Sequence, residues 1–393
     1  MSRVVIVGAS ASGVAVAEAL ARTAPDTEVH LVGDEAEIAH DRPPLSKQVL
    51  AGEWQADRAR LLPPARLDQL SANLHLGVSA VSVDEPGREV LLADGARLAF
   101  DDLVVATGVR PRQLPGGHPD GVHVLRTLGD ALALGADLGP GGRLLVVGAG
   151  FLGLEIAATA RKLDSSVVVV EPMVSPLESR LGAAAAERLL TLHAEHGVDV
   201  RAGTSVDSFK TGPDGRVEGA VLSDGSTVDC TAAVVAIGCV PNTEWLANTS
   251  VDRTDGVVCD TFCSAAPGIW AVGDVARWHH AGLGRHLRIE HRLNATEQAI
   301  AVAANITGTP TPFVPTPYFW TDHYDVKVQV AGIIDAASEE TVQSVDDGRG
   351  FLHTYHSEGR LVAVLGWNAA KAMMPLRREL KFTPTPRPEP THA

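Results

Sequence analysis

Two glycine-rich segments carry the clearest chemical signal in this sequence. One reads GASASG at residues 8–13 and the other GAGFLG at residues 148–153. Each follows a continuous apolar run, typical of a buried parallel strand, and precedes an alanine-rich stretch with helical spacing. In such a turn the backbone approaches a pyrophosphate closely, and the N-terminus of the next helix supplies N–H donors and a positive dipole. Both segments therefore predict dinucleotide binding.

The surrounding elements strengthen this prediction, because residues 3–13 can be laid over residues 143–153 without a gap. A helix is expected after each glycine turn, followed by a second strand that ends in acid. The acids are Asp34 and Glu35 in the first copy and Glu171 in the second. A carboxylate at that place accepts hydrogen bonds from an adenosine ribose. One such motif is weak evidence, whereas two copies in the required context are strong evidence.

The two copies differ in ways that bear on their ligands. The second is complete at Gly148, Gly150 and Gly153, whereas the first has Ser10 at the middle position. A serine side chain obstructs close approach slightly, but its hydroxyl is able to donate to phosphate. Glu171 would bind a free ribose 2′-hydroxyl and repel a 2′-phosphate, which favours NADH over NADPH.

Composition limits the remaining possibilities. A chain of 393 residues is expected to form two or three domains, and its formal charge of −15 argues against a nucleic-acid partner. No apolar run has the length of a membrane span, and no secretory signal is evident at the N-terminus. The four cysteines form no Cys-x-x-Cys pair, which fits a reducing compartment. We expect a cytoplasmic protein that does not bind membranes.

Three further strand-then-glycine segments lie at residues 103–108, 234–238 and 269–274. With them the chain resembles the flavoprotein reductases that bind two dinucleotides. The segments DRPPLSK at 41–47 and PYFWTD at 317–322, with LRT at 125–127 and RIEH at 288–291, narrow the resemblance. They are similar to those of the FAD-dependent NADH:ferredoxin reductases of bacterial oxygenase systems, over essentially residues 3–380.

The resemblance implies an α/β fold like that of glutathione reductase. Two Rossmann-like domains, one for FAD and one for NAD, would be followed by a C-terminal α+β domain. The FAD domain would comprise residues 1–112 and 239–312, with the NAD domain at 113–238 between them. The C-terminal domain would cover 313–393, with strands of a mixed sheet at 326–330 and 361–365 and a disordered tail from about 383.

The resemblance also implies a reaction. FAD would be the resident cofactor and NADH the co-substrate, with hydride passing from NADH to N5 of FAD. Single electrons would then pass to a small acidic ferredoxin, of the [2Fe–2S] type or similar, which feeds a haem-thiolate monooxygenase or a Rieske dioxygenase. The alternatives are a rubredoxin reductase or NADH oxidase of the same fold, and a redox-responsive NAD-binding flavoprotein.

Site residues follow by matching positions to the family. Lys47, Glu155 and Trp320 would act at the reacting rings, although a solvated loop lysine, an acid stabilising a helix N-terminus and a packing tryptophan are the respective alternatives. Contacts with FAD are expected from Gly8, Ser10, Ser12, Gly13, Asp34, Glu35, Arg42, Lys47, Ala80, Ala106, Thr107, Gly108, Arg126, Gly273, Asp274, Glu290, His291, Arg292 and Trp320. Contacts with NAD are expected from Gly148, Gly150, Phe151, Leu152, Gly153, Glu155, Glu171, Ile237 and Gly238.

Other reactive side chains receive less weight. Many relatives carry an aromatic residue where this chain has Arg292, which would either face the flavin or serve docking. No cysteine lies between residues 36 and 52, so a thiol mechanism is not expected. The histidines at 279, 280, 286 and 291 fall on an expected loop without the spacing of a zinc site, and no metal is predicted. An acidic partner would require a local basic patch, for which the candidates are Arg277, Arg285, Arg288, Arg292, Lys327, Lys371, Arg377 and Arg378.

Overall fold

The first glycine-rich segment directly follows a central parallel strand, as predicted. The structure is a computed structural model that describes residues 2–308, 310–335 and 337–382, so the predicted disordered tail lies outside the described residues. Strand β1 (Arg3–Val7) is parallel to both neighbours, and Val4, Val5 and Ile6 are fully buried. Helix α1 (Ala11–Thr23) follows at once. The sheet contains, in spatial order, β19 (Ser264–Ala266), β20 (Ile269–Ala271), β7 (Asp102–Val105), β1, β2 (Glu28–Gly33) and β3 (Ala72–Leu76).

The second glycine-rich segment lies in the same setting. Strand β10 (Arg143–Val147) is parallel to β11 (Ser166–Glu171) and β16 (Ala232–Val235) and leads through the turn into helix α3 (Phe151–Lys162). The helices were predicted to start after the glycine turns, at Val14 and Leu154. Both begin three residues earlier, because the last glycine of each motif lies inside the first helical turn. The sheet contains, in spatial order, β12 (Val198–Ala202), β11 (Ser166–Glu171), β10, β16 (Ala232–Val235) and β9 (Val122–His123).

The chain passes from the first sheet to the second and returns. Strands of the first sheet come from residues 3–105 and 264–271, and those of the second from residues 122–235. The two crossings are β8 (Val109–Pro111) and β17 (Cys239–Pro241), which pair with each other as antiparallel strands. The paired crossings bring the ends of the two nucleotide-binding sheets close together.

The C-terminal region forms a five-stranded sheet that is antiparallel throughout, so the prediction of a mixed sheet is wrong. Short connections between neighbours in the chain account for three of its four pairs, because parallel pairing needs a long crossover. The two predicted strands are present with wider bounds. In spatial order the sheet contains β23 (Tyr318–His323), β24 (Val326–Gly332), β27 (Arg360–Trp367), β26 (Gly350–Ser357) and β25 (Glu339–Val345).

Three small sheets complete the strands. They are β4 (Ala80–Asp84), β5 (Glu89–Leu92) and β6 (Arg97–Ala99); β13 (Val206–Thr211), β14 (Val217–Leu222) and β15 (Thr227–Asp229); and β18 (Val257–Cys259), β21 (Ala276–His280) and β22 (Arg285–Leu287). The remaining α-helices are α2 (Leu128–Ala136), α4 (Glu178–Leu181), α5 (Ala183–Glu195), α6 (Arg292–Ile306) and α7 (Ala370–Glu379). Short 3₁₀ segments occupy Ala56–Ala59, Pro64–Leu70, Glu244–Leu246, Gly273–Val275 and Asp346–Gly348, and Leu45–Val49 is a π-helical turn.

One apolar core joins the C-terminal sheet to the second nucleotide-binding sheet. It contains Val146 and Ile156 of that layer together with Val328 and Leu365 of the C-terminal sheet. The π-helical turn contributes Leu45 to the same core, which fixes the neighbouring Lys47 close to α3. Among the described residues, none of the helices combines the length and apolar character that crossing a bilayer requires.

Candidate active site

A cavity of about 710 Å³ opens at the carboxyl ends of β1 and β7 and reaches α3 and β23. Ligands of doubly wound sheets bind at this edge. The residues predicted to contact FAD that line the cavity are Gly8, Ser10, Ser12, Asp34, Glu35, Arg42, Lys47, Ala80, Ala106, Thr107, Gly108, Arg126, Asp274, Glu290, His291, Arg292 and Trp320. Phe151, Leu152 and Glu155 of the predicted NAD set line it as well.

Gly13 and Gly273 are the two predicted FAD residues that do not line the cavity. A Cβ atom on Gly13 would lie 1.8 Å from the carbonyl oxygen of Gly8, so this glycine permits close packing of helix against strand. Gly273 has φ +74°, and a Cβ there would lie 2.7 Å from the hydroxyl of Ser12. Both glycines therefore lie behind the cavity wall and allow the close packing of Gly8 and Ser12, which line it.

The first helix offers an open N-terminus to the cavity. Ser10 caps α1 without a hydrogen bond from its side chain to the helix, and the first turn contains no acidic residue. The Ser10 hydroxyl lines the cavity and is able to donate to an anion. Unpaired N–H groups and a positive helix end suit a phosphate at this place.

Two arginines add positive charge nearby. Arg42 donates to Glu35 at 2.9 Å and to the backbone oxygen of Arg126 at 2.5 Å. Arg126 reaches Asp274 at 3.4 Å. Burial, reinforced by the charge of Arg126, lowers the pKa of Arg42, whereas burial raises the pKa of Asp274 against the opposing influence of Arg126. Two guanidinium groups so close together favour an anionic ligand between them.

A buried ion pair lies where α3 meets the π-helical turn. The Lys47 ammonium is 2.8 Å from Oε2 of Glu155, and the two side chains are only 13% and 10% exposed. Ser46 donates to the same oxygen at 2.6 Å, and Thr321 donates to Oε1 at 2.7 Å. Each carboxylate oxygen therefore has a donor, which offsets the cost of burying the charge.

Aromatic rings and a histidine form the opposite wall. Phe319 lies 5.0 Å from Phe151 and 4.8 Å from His291, measured between ring centroids. Burial lowers the pKa of His291 to about 4, so this imidazole is neutral near pH 7. Trp320 lines the cavity beside Phe319. A flat apolar wall with a neutral polar group suits an aromatic ring system.

Arg292 lines the cavity, and its side chain is 29% exposed. Its side chain pairs with Asp41 at 2.5 Å and donates to Thr296 at 2.6 Å. This pairing neutralises much of its charge, although Arg292 remains part of the lining. The predicted contact of Arg292 with FAD stays a prediction.

The second glycine turn lies outside the cavity, beyond Phe151 and Leu152. A Cβ on Gly153 would lie 2.0 Å from the carbonyl oxygen of Gly148, as in the first copy, whereas Gly150 has open space around it. Glu171 accepts hydrogen bonds from the backbone N–H groups of Ala149 at 2.9 Å and Met173 at 3.0 Å. Ile237 and Gly238 follow β16 on the same side. The predicted NAD residues thus divide between this turn and the cavity.

Sequence reasoning did not select Ser46 and Thr321 as partners of Glu155, or Asn242 and Trp245 as cavity residues. Ser46 belongs to the quoted DRPPLSK segment and Thr321 to PYFWTD, so both lay within recognised motifs. Asn242 and Trp245 follow the crossing strand β17, where no motif marked them. For Ser46 and Thr321, the one available signal was that each hydroxyl residue lies next in sequence to an expected reactive residue, Lys47 or Trp320.

The lining suits a flavin nucleotide. Nε of Arg42, Nε1 of Trp245 and Nδ1 of His291 are buried and have no hydrogen-bond partner among the described residues, and all three residues line the cavity. Buried polar atoms normally have partners, so these three indicate a polar ligand. Anion-binding groups at one end and an aromatic wall at the other fit FAD.

The cysteines and histidines can now be located relative to this cavity. Among the described residues, no cysteine lines it and no cluster of metal-ligating side chains was found. Burial raises the pKa of the Cys239 thiol to about 12, with a further contribution from Glu290, which accepts its hydrogen at 3.0 Å. The histidine-rich segment that was expected as a loop is a hairpin of β21 and β22, so that expectation is wrong.

Comparison with known proteins identifies the family. The pyridine nucleotide-disulphide oxidoreductase model matches residues 2–299, and the reductase C-terminal model matches residues 318–390. Rhodocoxin reductase of Rhodococcus erythropolis is 35% identical over 97% of this chain and 91% of that protein. The ferredoxin–NAD(+) reductase component of the p-cumate 2,3-dioxygenase system of Pseudomonas putida is 35% identical over 97% of this chain and 94% of its own.

A solved structure agrees with this result. The reductase in the covalent putidaredoxin reductase–putidaredoxin complex superposes with a TM-score of 0.93 at 32% identity, covering 96% of this chain and 93% of that one. The predicted α/β fold with a separate C-terminal domain is thereby confirmed. The chain belongs to the pyridine nucleotide-disulphide oxidoreductases and, among them, to the FAD-containing ferredoxin–NAD(+) reductases of bacterial oxygenase systems.

Proposed function

We propose that this protein is a cytoplasmic NADH-dependent ferredoxin reductase that keeps FAD in the described cavity and delivers electrons to a small acidic [2Fe–2S] ferredoxin of an oxygenase. Bound FAD accepts two electrons as hydride and releases them singly, which neither NADH nor a ferredoxin does alone. The observation that carries the proposal is the Lys47–Glu155 pair, 2.8 Å apart, inside a cavity shared by both nucleotide-binding segments. In this assignment the FAD domain comprises residues 1–112 and 239–312, and the NAD domain 113–238.

The anionic part of FAD would bind at the first glycine turn. Ser10 and the N-terminus of α1 would donate to the pyrophosphate, while Arg42 supplies the unpaired Nε. Glu35 is held by Arg42 in a position to accept from ribose. Asp274, whose pKa is raised by burial, would hydrogen-bond the ribityl hydroxyls, and Arg126 keeps its carboxyl in place.

NADH would bind across the second glycine turn, with its nicotinamide entering the cavity past Phe151 and Leu152. The α3 N-terminus carries no acidic residue in its first turn and is open to a phosphate. Glu171, at the expected ribose position, accepts hydrogen bonds from the backbone N–H groups of Ala149 and Met173. Its negative charge would repel the 2′-phosphate of NADPH.

Lys47 and Glu155 would orient the reacting rings. The ammonium would stabilise negative charge on the reduced cofactor, and the carboxylate would accept from the nicotinamide amide group. Because Ser46 and Thr321 already donate to Glu155, the carboxylate stays in one orientation. Trp320 would close the cavity on the side of the C-terminal sheet.

The ferredoxin would dock on the basic face of α7. Lys371, Met374 and Arg378 are exposed there, and Arg377 lies 4.0 Å above the ring of Tyr318. That ring is 6.3 Å from the ring of Trp320, measured between centroids. Four other candidates, Arg285, Arg288, Arg292 and Lys327, already pair with acidic side chains. The cations on α7 form no such ion pair among the described residues, so they are more available to an acidic ferredoxin.

Acceptor assays distinguish this function from its rivals. The holoenzyme is mixed with NADH and, in turn, an acidic [2Fe–2S] ferredoxin, a rubredoxin or oxygen alone. We expect fast reduction of the ferredoxin and slow reduction of the others. Faster reduction of rubredoxin would support a rubredoxin reductase, and rapid oxygen consumption an NADH oxidase. A persistent NADH-reduced state that no acceptor discharges would support a redox-responsive binding protein.

A further inference from the structure

A line of hydrogen-bonding side chains leads from Glu155 away from the cavity. Thr321 donates to Oε1 of Glu155 at 2.7 Å, and its oxygen lies 2.9 Å from Nε2 of His323. Nδ1 of His323 lies 3.3 Å from Nε2 of His193, whose Nδ1 is 3.3 Å from the hydroxyl of Tyr324. Every contact in the series is within hydrogen-bond range.

The series runs from the protein interior to its surface. Thr321, His323 and His193 are buried, with at most 1% exposure. Tyr324 is half-buried, and its ring stacks on exposed His196 with 3.6 Å between centroids. Thr321 and His323 belong to β23 and His193 to α5, so the series lies between the C-terminal sheet and the second nucleotide-binding layer.

Ionised Glu155 sets the direction of the hydrogen bonds, because a carboxylate only accepts. Thr321 must donate to it, so the Thr321 oxygen must accept from Nε2–H of His323. With its proton on Nε2, His323 accepts at Nδ1 from Nε2–H of His193, and Nδ1 of His193 accepts from the Tyr324 hydroxyl. All donors point toward Glu155, and no contact in the series pairs two donors or two acceptors.

The two histidines are neutral in this arrangement. Burial, followed by the charge of Lys47, lowers the pKa of His323 to about 3, with the Leu154 carbonyl opposing. Burial, followed by His323 and His196, lowers the pKa of His193 to about 3. The other charged group facing this end is Arg161, and Lys162 approaches the Tyr324 carbonyl. A neutral imidazole both donates and accepts, as a relay requires.

The reaction itself requires a path for a proton. Oxidation of one NADH by two one-electron acceptors gives NAD⁺, two reduced acceptors and one proton. In the proposed function both nucleotides would enter the cavity, and the series of side chains offers a route to solvent that does not pass through it.

We propose that Thr321, His323, His193 and Tyr324 form a proton relay that connects the Lys47–Glu155 pair with solvent. In the resting arrangement a proton moves inward along the series: Tyr324 passes one to His193, His193 to His323, His323 to Thr321 and Thr321 to Glu155, while Tyr324 receives one from solvent. Both histidines thereby exchange tautomers, and Glu155 becomes the donor at the inner end. The same steps in reverse return one proton from Glu155 to solvent at Tyr324 and restore the resting arrangement. The inference rests on the proposed function and deepens it.

The test measures proton release separately from electron transfer. The holoenzyme is reduced with one equivalent of NADH and mixed rapidly with ferricyanide and a pH indicator in weakly buffered solution. Loss of ferricyanide colour reports electrons, and the indicator reports the proton. The variants are Tyr324→Phe, His193→Gln and His193→Gly. The matched control is Tyr318→Phe, at the opposite end of β23 from the turn that contains Tyr324.

We expect proton release to slow about tenfold in Tyr324→Phe and His193→Gln, with Tyr318→Phe unchanged. Added imidazole should restore the rate in His193→Gly, which a purely structural role would not allow. In ¹⁵N NMR spectra of the wild-type holoenzyme at pH 7, His193 and His323 should be neutral and protonated at Nε2. Rates in both relay variants equal to that of Tyr318→Phe, or charged imidazoles at pH 7, would overturn the relay. A wild type that NADH does not reduce would instead refute the proposed function.

Discussion

The ammonium of Lys47 lies 2.8 Å from the carboxylate of Glu155, although the two residues belong to different nucleotide-binding segments. Lys47 follows the first glycine segment, and Glu155 lies on the helix that begins at the second. A hydroxyl from the C-terminal sheet completes the group, since Thr321 donates to the same carboxylate. All three regions of the chain therefore meet at one charged pair.

Breaking this pair should destabilise the protein. Glu155→Gln leaves the Lys47 ammonium buried without its counter-charge, and we expect the free energy of unfolding to fall by roughly 3 kcal/mol. Lys47→Met combined with Glu155→Gln should cost less than the sum of the two single changes, because the interaction is then already absent. Denaturant titration of the four holoproteins measures this coupling. Additive effects would mean that the pair contributes nothing measurable.

Cofactor preference should depend on Glu171. Replacing it with arginine removes the charge that opposes a 2′-phosphate and adds one that attracts it. We expect the ratio of kcat/KM for NADH to that for NADPH to fall at least about tenfold. Glu171→Gln, which keeps the shape of the side chain, should move the ratio less. An unchanged ratio in Glu171→Arg would contradict the ribose role.

Docking should depend on charge at α7. Arg378→Glu should slow ferredoxin reduction about tenfold at low salt and weaken its salt dependence, because the steering charge is reversed. Reduction of a small neutral dye should be unaffected. Arg360→Glu, an equal charge change on strand β27 at a side chain that is 83% exposed, serves as the control. Equal slowing in both variants would show that net charge, not a local patch, is responsible.

Stability should decline in mild acid because of the buried histidines. The pKa values of His193 and His323 are lowered to about 3, whereas an unfolded histidine has a pKa near 6.5. Above pH 6.5 neither state binds the proton, so stability is unaffected. Below pH 6.5 these two histidines bind protons in the unfolded chain but not in the folded protein. Each histidine therefore lowers the free energy of unfolding by about 1.4 kcal/mol per pH unit.

Denaturant midpoints measured between pH 7.0 and 5.0 test this dependence. His323→Gln should give a shallower decline than the wild type, whereas His286→Gln, at an exposed position of β22, should not. Identical slopes in the wild type and His323→Gln would show that His323 is protonated in the folded state.

The sequence was informative wherever the signal was local. Each glycine turn is encoded within about a dozen residues, so its strand, helix and closing acid were predictable. The partners of Glu155 were not, because Ser46 and Thr321 lie 109 and 166 residues away from it. Arg292 and Asp41 are 251 residues apart, which is why the orientation of Arg292 stayed open. Alternating residues identified strands in the C-terminal sheet, but alternation does not reveal whether neighbours run parallel or antiparallel.

Anaerobic titration of the purified protein with NADH tests the central claim most directly. We expect a yellow protein whose visible absorption is bleached by one equivalent of NADH, much more slowly by NADPH, and restored when an acidic [2Fe–2S] ferredoxin is added. A protein that is colourless as purified, and stays colourless after refolding with excess FAD, would contradict the account.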